Sequence, residues 1–465
     1  MRYIYLDPKF TVCYMDGEFS LIDISRDIFY ELSDDQVEVV RLLSGEYTPE
    51  IIRESFDVAS QEYLSAFLEN LVQLGAIAYA ETPCKRFHMP IPRKYPELYS
   101  IHFEVTGRCN LTCEHCYNAQ YINGTESELT TDEIFDLIEQ LRDLGIRQVV
   151  LTGGEALTRR DFFSVIEEFV SNRIRVSSVF SNGILLSDEV VKFLTHCGSK
   201  VNVFISLDGL TPQSHNALRV SSSPNSTADI FESAVDAIKR TVDSGLSTRI
   251  NTIIHRSNFE ELPGMYDYLN RLGVDCWRLA FAKGFGRYGN TRYKHDAKIE
   301  DVLQILYPFL DRYLHDYSTG HTKIDLEVEM IFRTKMLYKG IKVFDDKSPC
   351  CQYHMHRCTI KPNGDVTRCA YLSDMPIGNI RSQSLETIWY SEKMQKLVCY
   401  PAIEVEGCKE CTYLYICGAG CRACAWLEGG SFFSGKDSQS CRPIEFLHNM
   451  VLPLIERHGF DLEYV

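Results

Sequence analysis

Cys109, Cys113 and Cys116 stand in the segment EVTGRCNLTCEHCYN as a C-x3-C-x2-C array. Three thiolates on one short loop can hold three irons of a [4Fe-4S] cube and leave the fourth iron open to chelate a small molecule. A zinc knuckle is the alternative for such a loop, although zinc sites favour four ligands in paired C-x2-C form. A second group of thiols lies far downstream, where GCKECTYLYICGAGCRAC carries Cys408, Cys411, Cys417, Cys421 and Cys424, with Cys441 beyond. Cys350, Cys351, Cys358 and Cys369 precede it, so that eleven of the chain's eighteen cysteines fall between Cys350 and Cys441. Disulfide frameworks of this density belong to small exported domains, which makes metal the better explanation here; C-x2-C pairs serve zinc as well as iron. Cys13, Cys84, Cys197, Cys276 and Cys399 read as ordinary buried or free thiols.

The elements that must position these thiols fall into three regions. Residues 1–83 read as a small winged-helix unit: RYIYL and FTVCYM lead to an Asp16-Gly17 hairpin signal and EFSLIDI, three short helices follow, and AIAYA returns as a strand. Ser33 with Gln36 fits a capping box, Thr48-Pro49 opens a second helix, and Gly75 ends the third. Residues 84–98 form a proline-rich linker. From 99 to 320, six buried-strand candidates (IHFEV, QVVLT, IRVSSVF, VNVFISL, TRINTII and CWRLAF) alternate with amphipathic segments, one of them opened by Thr130 and Glu133 and closed at Gly145. Such alternation predicts an α/β fold, a parallel sheet closed or partly closed, with ligands at the carboxyl ends of its strands. Residues 321–344 bridge to a Cys-rich region over 345–442 that metals are expected to hold together, and 443–465 reads as a closing helix. The Ser-rich stretch from Ser221 to Asp229 reads as a loop.

The net charge of -16 and pI near 5.3 argue against bulk electrostatic binding of nucleic acid or anionic membrane. No apolar run approaches the roughly 18 residues that span a bilayer, and the N-terminus has no signal core, so a cytoplasmic protein is expected.

The first array closely resembles the signature of the radical S-adenosylmethionine (SAM) superfamily. The resemblance implies a partial (β/α)6 TIM-like barrel and a cluster whose open iron binds the methionine amino and carboxylate groups of SAM, with reductive cleavage giving a 5'-deoxyadenosyl radical. LTGGEAL matches the family's Gly-Gly-Glu motif: Gly153 and Gly154 would let backbone approach SAM, and Glu155 would accept from its ammonium, while Ala156 stands where Pro is usual. By the same resemblance Ser206 and Asp208 of SLDG would face the ribose, Arg219 the SAM carboxylate, and His115 the adenine. Strand-end capping for Ser206 and Asp208 and a surface salt bridge for Arg219 are the plain alternatives; Asn251 and Arg287 are further candidates.

The downstream cysteines resemble the seven-cysteine SPASM extension of that superfamily, which carries two auxiliary [4Fe-4S] clusters and brings the total to three. Carried over, the nearer cluster takes Cys369 and Cys421 with two upstream cysteines, and the farther takes Cys408, Cys411, Cys417 and Cys441. Cys350, Cys351 and Cys358 offer three thiols for the two upstream places; Cys351 and Cys358 are preferred and Cys350 is the rival, with Cys424 a spare.

The front region resembles the leader-peptide recognition element of enzymes that modify ribosomally made peptides, on SDDQVEVVRLLSGEYTPEIIRESF and FLENLVQLGAIAY. A DNA-binding winged helix is the rival, but residues 1–80 hold five basic against fifteen acidic side chains, a surface that repels phosphate. The resemblance implies that a precursor's leader adds as a strand to a sheet edge. The expected protein is a radical SAM maturase that crosslinks a precursor peptide through a thioether or a carbon-carbon bond, served by a reductant such as flavodoxin or ferredoxin. A formylglycine-forming sulfatase maturase, a peptide epimerase using Cys276 or Cys424 as hydrogen donor, and a non-catalytic electron-transfer or leader-binding scaffold are the alternatives.

Overall fold

A computed structural model describes residues 2–15, 18–24, 26, 28–58, 60–83, 89, 95–124, 127–223, 229–351, 355–429 and 431–465. The Asp16-Gly17 turn, Cys84, most of the proline-rich linker and the centre of the Ser-rich loop lie outside the described residues.

The front region has its own core, built on Leu6, Phe10, Val12, Val40, Ile52, Leu64 and Leu71 among others. Its strands are β1 (Tyr3–Leu6), β2 (Phe10–Met15), β3 (Glu18–Asp23), β4 (Ile28–Leu32), β5 (Ser44–Tyr47) and β6 (Ile77–Ala80), forming two antiparallel sheets of order β5-β1-β6 and β2-β3-β4. The sequence pattern does not show β4 and β5. β4 is exposed on most of its length, and β5, SGEY, lacks the apolar alternation that marks a strand. The three expected helices are present at Asp34–Leu42, Pro49–Glu54 and Gln61–Leu74. Ser33 and Gln36 form the reciprocal capping box, Thr48 caps Pro49–Glu54, and Gly75 ends the third helix in the left-handed region at φ 74°.

All six expected barrel strands form: β7 (Ser100–Glu104), β8 (Gln148–Thr152), β9 (Arg175–Ser181), β10 (Asn202–Ser206), β11 (Ser247–Ile254) and β12 (Cys276–Phe281). They pair in parallel in sequence order, but the run extends at both edges. β13 (Asp325–Val328) adds in parallel beside β12 and turns back through β14 (Phe332–Arg333). β15 (Arg357–Ile360) adds in parallel beside β7 and continues antiparallel into β16 (Asp365–Thr367) and β17 (Gly378–Asn379). The result is an open sheet of eleven strands, a partial barrel, with helices such as Thr131–Asp143 and Ile230–Asp243 burying one apolar stripe each against it.

This extension alters the expected independence of the Cys-rich region. Ile360, Val366, Leu385, Trp389, Met394, Val398 and Ile444 share one continuous core with the barrel residues Ile101, Val149 and Val203. Residues after 345 are therefore held by hydrophobic burial against the barrel edge as well as by any metal. Arg381 adds a clasp, donating to Ser127 O at 3.0 Å, Glu128 O at 2.9 Å and Glu133 at 2.6 Å. The C-terminal helical run is continuous over 438–457, with a π-helical segment at 447–451.

Candidate active site and cluster-binding loops

The first cysteine loop leaves the carboxyl end of β7 and is pinned from three sides. The segment after β10 lies along it: Thr112 N donates to Val220 O at 2.7 Å, Glu114 N to Leu218 O at 2.8 Å and Ser222 N to Asn110 O at 3.0 Å. The Gly-Gly-Glu turn presses on it from β8. A Cβ on Gly153, whose φ is +144°, would meet Thr106 O at 2.3 Å, and one on Gly154 would meet Arg108 O at 2.3 Å. Both glycines are thus demanded by close backbone approach to the cysteine loop. On the third side, Arg287 donates from Nη1 to Cys113 O at 2.7 Å and from its amide to Cys116 O at 3.1 Å.

Cys109, Cys113 and Cys116 are each half-buried and not in a disulfide. Burial pushes the Cys109 thiol up to about 12 and the Cys116 thiol up to about 11, and raises Cys113 as well. Protons on these sulfurs leave when a metal takes their place, so loading the loop releases protons. Three soft sulfur donors on one loop fit an iron-sulfur cube with an open corner.

Glu155 is buried and accepts from Asn182 N at 2.8 Å and Leu157 N at 3.4 Å. Burial pushes its carboxyl up to about 7 against those hydrogen bonds. Asn182 also donates to Asn110 Oδ1 at 2.7 Å, which couples the Gly-Gly-Glu turn to the cysteine loop. Asp208 is fully buried and turned into the protein: Oδ2 accepts from Arg219 Nε at 2.7 Å and Oδ1 from Ile253 N at 2.8 Å. Burial pushes its pKa up, but the cationic Arg219 outweighs it and holds the group near 2. Asp208 therefore anchors Arg219, whose Nη1 reaches Cys113 Sγ at 4.0 Å. Arg219 is in this way an internal ion pair at the cluster loop and not a surface salt bridge. Burial and Arg219 push the His115 ring down to about 3, so it is neutral, and its Nδ1 is buried without a partner. Ser206 ends β10 beside Asn251 of β11.

Residues that the sequence did not single out tie this loop to the Cys-rich region. Glu104, at the end of β7, accepts from Asn118 Nδ2 at 2.6 Å and from Lys361 Nζ at 2.9 Å. Lys361 also donates to Ala370 O at 2.9 Å, next to Cys369. Tyr117, next to Cys116, meets the Tyr371 ring edge-on at 5.0 Å, and Phe285 stacks on Tyr371 at 5.3 Å. A charged residue closing an apolar strand is a signal available for Glu104; its partner Lys361 becomes visible only with the β7–β15 pairing.

In the Cys-rich region the thiols fall into two groups. Cys408, Cys411, Cys417 and Cys441 lie within electrostatic reach of one another. Cys351, Cys369 and Cys421 form the other. Cys350 packs with Ala402, Val405 and Ala419 beside Cys408, while Cys358, on β15, packs into the barrel core. Cys276 begins β12, at the opposite end of the sheet from the Cys109 loop. A cavity of about 880 Å³ opens between the carboxyl ends of β11 and β12 and the helices Arg422–Leu427 and Ser438–Phe446. Lys283, Tyr288 and Arg292 line one wall, Leu427, Glu428 and Arg442 the other. That volume suits a ligand or a short peptide segment. None of Cys109, Cys113 and Cys116 lines it; Lys283, buried and paired with Glu329 at 3.3 Å, stands between it and Cys421.

Residues 103–269 match the Radical SAM superfamily and residues 350–412 the SPASM iron-sulfur cluster-binding domain. This chain is a radical SAM enzyme with a SPASM domain. It uses SAM with a [4Fe-4S] cluster, and its SPASM domain binds further iron-sulfur clusters. It is 28% identical over 356 residues to an AdoMet-dependent heme synthase of Methanosarcina barkeri, covering 74% of this chain and 96% of that protein. It is 25% identical over 338 residues to the PqqA peptide cyclase of Streptomyces rochei, covering 70% of this chain and 85% of that protein. The fold matches that of Streptococcus suis SuiB bound to its precursor peptide SuiA, with TM-score 0.67 and 16% identity over 95% of this chain and 100% of that one. Among the described residues no helix is long and apolar enough to cross a membrane.

Proposed function

We propose that this enzyme is a peptide maturase that installs an intramolecular crosslink, carbon-sulfur or carbon-carbon, in a ribosomally made precursor whose leader binds the front unit. The observation that carries the reading is that unit itself. It is a separately cored pair of sheets whose edge strand β4 pairs only with β3 among the described residues and exposes Ile28 and Phe29 by 39% and 47%. An edge with free backbone groups and apolar side chains accepts an added strand. The comparisons support this direction. The heme synthase alignment uses nearly all of that protein yet leaves about a quarter of this chain without a counterpart, whereas the peptide-bound SuiB chain is matched over 95% of this one.

When bound, SAM at the reduced cluster supplies a carbon-centred oxidant that removes a hydrogen atom from the substrate. The chain's own residues set the conditions. Cys109, Cys113 and Cys116 would hold three irons of the cluster. The proposed SAM contacts are Gly153 and Gly154 to its backbone approach, Glu155 to its ammonium, Arg219 to its carboxylate, Ser206 to the ribose and His115 to the adenine. Asp208 orients Arg219. The cavity beside Lys283 receives the core segment, and tethering by the leader raises that segment's effective concentration there. A low-potential protein such as flavodoxin or ferredoxin supplies electrons. Epimerisation through Cys276 is disfavoured because that thiol lies at the wrong end of β12.

Mass spectrometry of a candidate precursor after anaerobic incubation with enzyme, SAM and reductant tests the reading. Loss of two hydrogens per turnover supports crosslinking. A mass unchanged in H2O but raised by one unit per event in D2O means epimerisation, and a peptide left untouched by an enzyme that modifies a tetrapyrrole would overturn the proposal.

A further inference from the structure

Cys424 lies outside the seven-cysteine pattern, yet the fold packs it beside Cys369 and Cys421. Cys421 is the N-cap of the helix Arg422–Leu427, and Cys424 follows three positions later. That spacing sets both sulfurs on one face of the first turn. Cys424 is fully buried and packs with Phe285, Leu372, Ala423 and Phe432; Cys369 and Cys421 border the same cluster. Cys424 and Cys421 lie within electrostatic reach of one another, as do Cys351 and Cys369. The buried Lys283, paired with Glu329, lies within electrostatic reach of both Cys421 and Cys424.

Cys358 is placed differently. It lies opposite Ile101 in the β15–β7 pairing and packs in the main core. Side chains alternate across a strand, so Cys358 shares a face with Ile360, whereas Arg357, Thr359 and Lys361 point to the other. Reaching Cys369 would require β15 to slip by one residue, which would also move Ile360 out of the core and Lys361 off Glu104. Cys350 packs with Ala402, Val405 and Ala419 beside Cys408, and lies within electrostatic reach of both Cys351 and Cys408.

We propose that Cys424 is the fourth protein thiolate of the nearer auxiliary cluster, with Cys351, Cys369 and Cys421, and that Cys358 is a core residue. The nearer cluster is then closed by protein and exchanges electrons with the substrate without binding it. The assignment rests on the SPASM domain's cluster content and is independent of which substrate the enzyme modifies.

Selenocysteine placed at position 424 of the full chain, followed by selenium-edge X-ray absorption after anaerobic reconstitution, tests it directly. A selenium-iron scattering path is expected, and its absence in protein carrying its full iron overturns the proposal. A second measurement compares Cys424→Ser with Cys358→Val by iron content and by electron paramagnetic resonance of the reduced protein. Cys424→Ser is expected to change the signal of one auxiliary cluster, with loss of up to about four irons, while Cys358→Val leaves signal and iron as in the parent. An altered cluster signal in Cys358→Val, or an unaltered one in Cys424→Ser, overturns it as well.

Discussion

Lys361→Met tests whether the barrel and the SPASM domain are one structural body. Lys361 Nζ is 2.9 Å from Glu104 Oε1, and both side chains are 0% exposed. The same ammonium donates to Ala370 O at 2.9 Å and Asn118 Oδ1 at 3.3 Å, so it touches the chain beside Cys369 and the chain beside Cys116. Removing one partner of a buried pair leaves an uncompensated charge and costs about 3–5 kcal/mol, whereas removing both charges costs far less. Lys361→Met and Glu104→Gln should each destabilise by that amount, and the double variant should fall short of their sum by about 3 kcal/mol, the upper end for residues in contact. The readout is anaerobic guanidinium unfolding followed by tryptophan fluorescence. Two of the chain's three tryptophans, Trp277 and Trp389, are fully buried in the shared core, and none lies in the front unit. Additive single variants, or single variants costing under about 1 kcal/mol, would refute the claim that this pair clamps the two cluster loops together.

Replacing Cys109, Cys113 and Cys116 by Ala should remove about four irons per chain and all SAM cleavage, checked by iron analysis and chromatography of cleavage products. Ile28→Asp with Phe29→Asp should weaken leader binding at least about tenfold, or about 1.4 kcal/mol, by anisotropy of a labelled leader, with peptide-free SAM cleavage unchanged. Burial pushes Glu155 up to about 7. Its raised folded value means that charging it works against the fold as pH rises through about 7, and a cationic ligand offsets that work. Calorimetry should therefore show SAM affinity rising between pH 6 and 8 in the parent and flat in Glu155→Gln; parallel profiles would remove Glu155 from the ammonium site.

What the sequence made legible follows the strength of local signals. The six long barrel strands are apolar runs bounded by capped helices, and each is where its pattern placed it. β13 is four residues of alternating charge and apolarity, and β15 is the short segment RCTI, whose cysteine invited a reading as a metal ligand. Both depend on long-range pairing, which no local pattern announces. The site divides the same way. Cys109, Cys113, Cys116 and the Gly-Gly-Glu turn are contiguous in sequence and were readable, whereas Arg219 with Asp208, Glu104 with Lys361, and Arg287 with the Cys113 carbonyl are partnerships set by topology.

The same topology explains how the two cysteine regions are held together. β15 places its alternate residues on both faces of the barrel sheet, so one strand contributes Cys358 to the core and aligns Lys361 with Glu104. From there the chain turns through β16 and delivers Cys369 and Tyr371 over the mouth of the barrel, where Tyr371 lies between Tyr117 and Phe285. Tyr117 adjoins Cys116 and Tyr371 follows Cys369 by two residues, so a single aromatic contact joins the Cys116 loop to the Cys369 segment. A domain attached by a flexible linker would leave that contact to chance; a strand added to the barrel sheet fixes it, because the parallel register of β15 on β7 sets where residues 369–371 emerge.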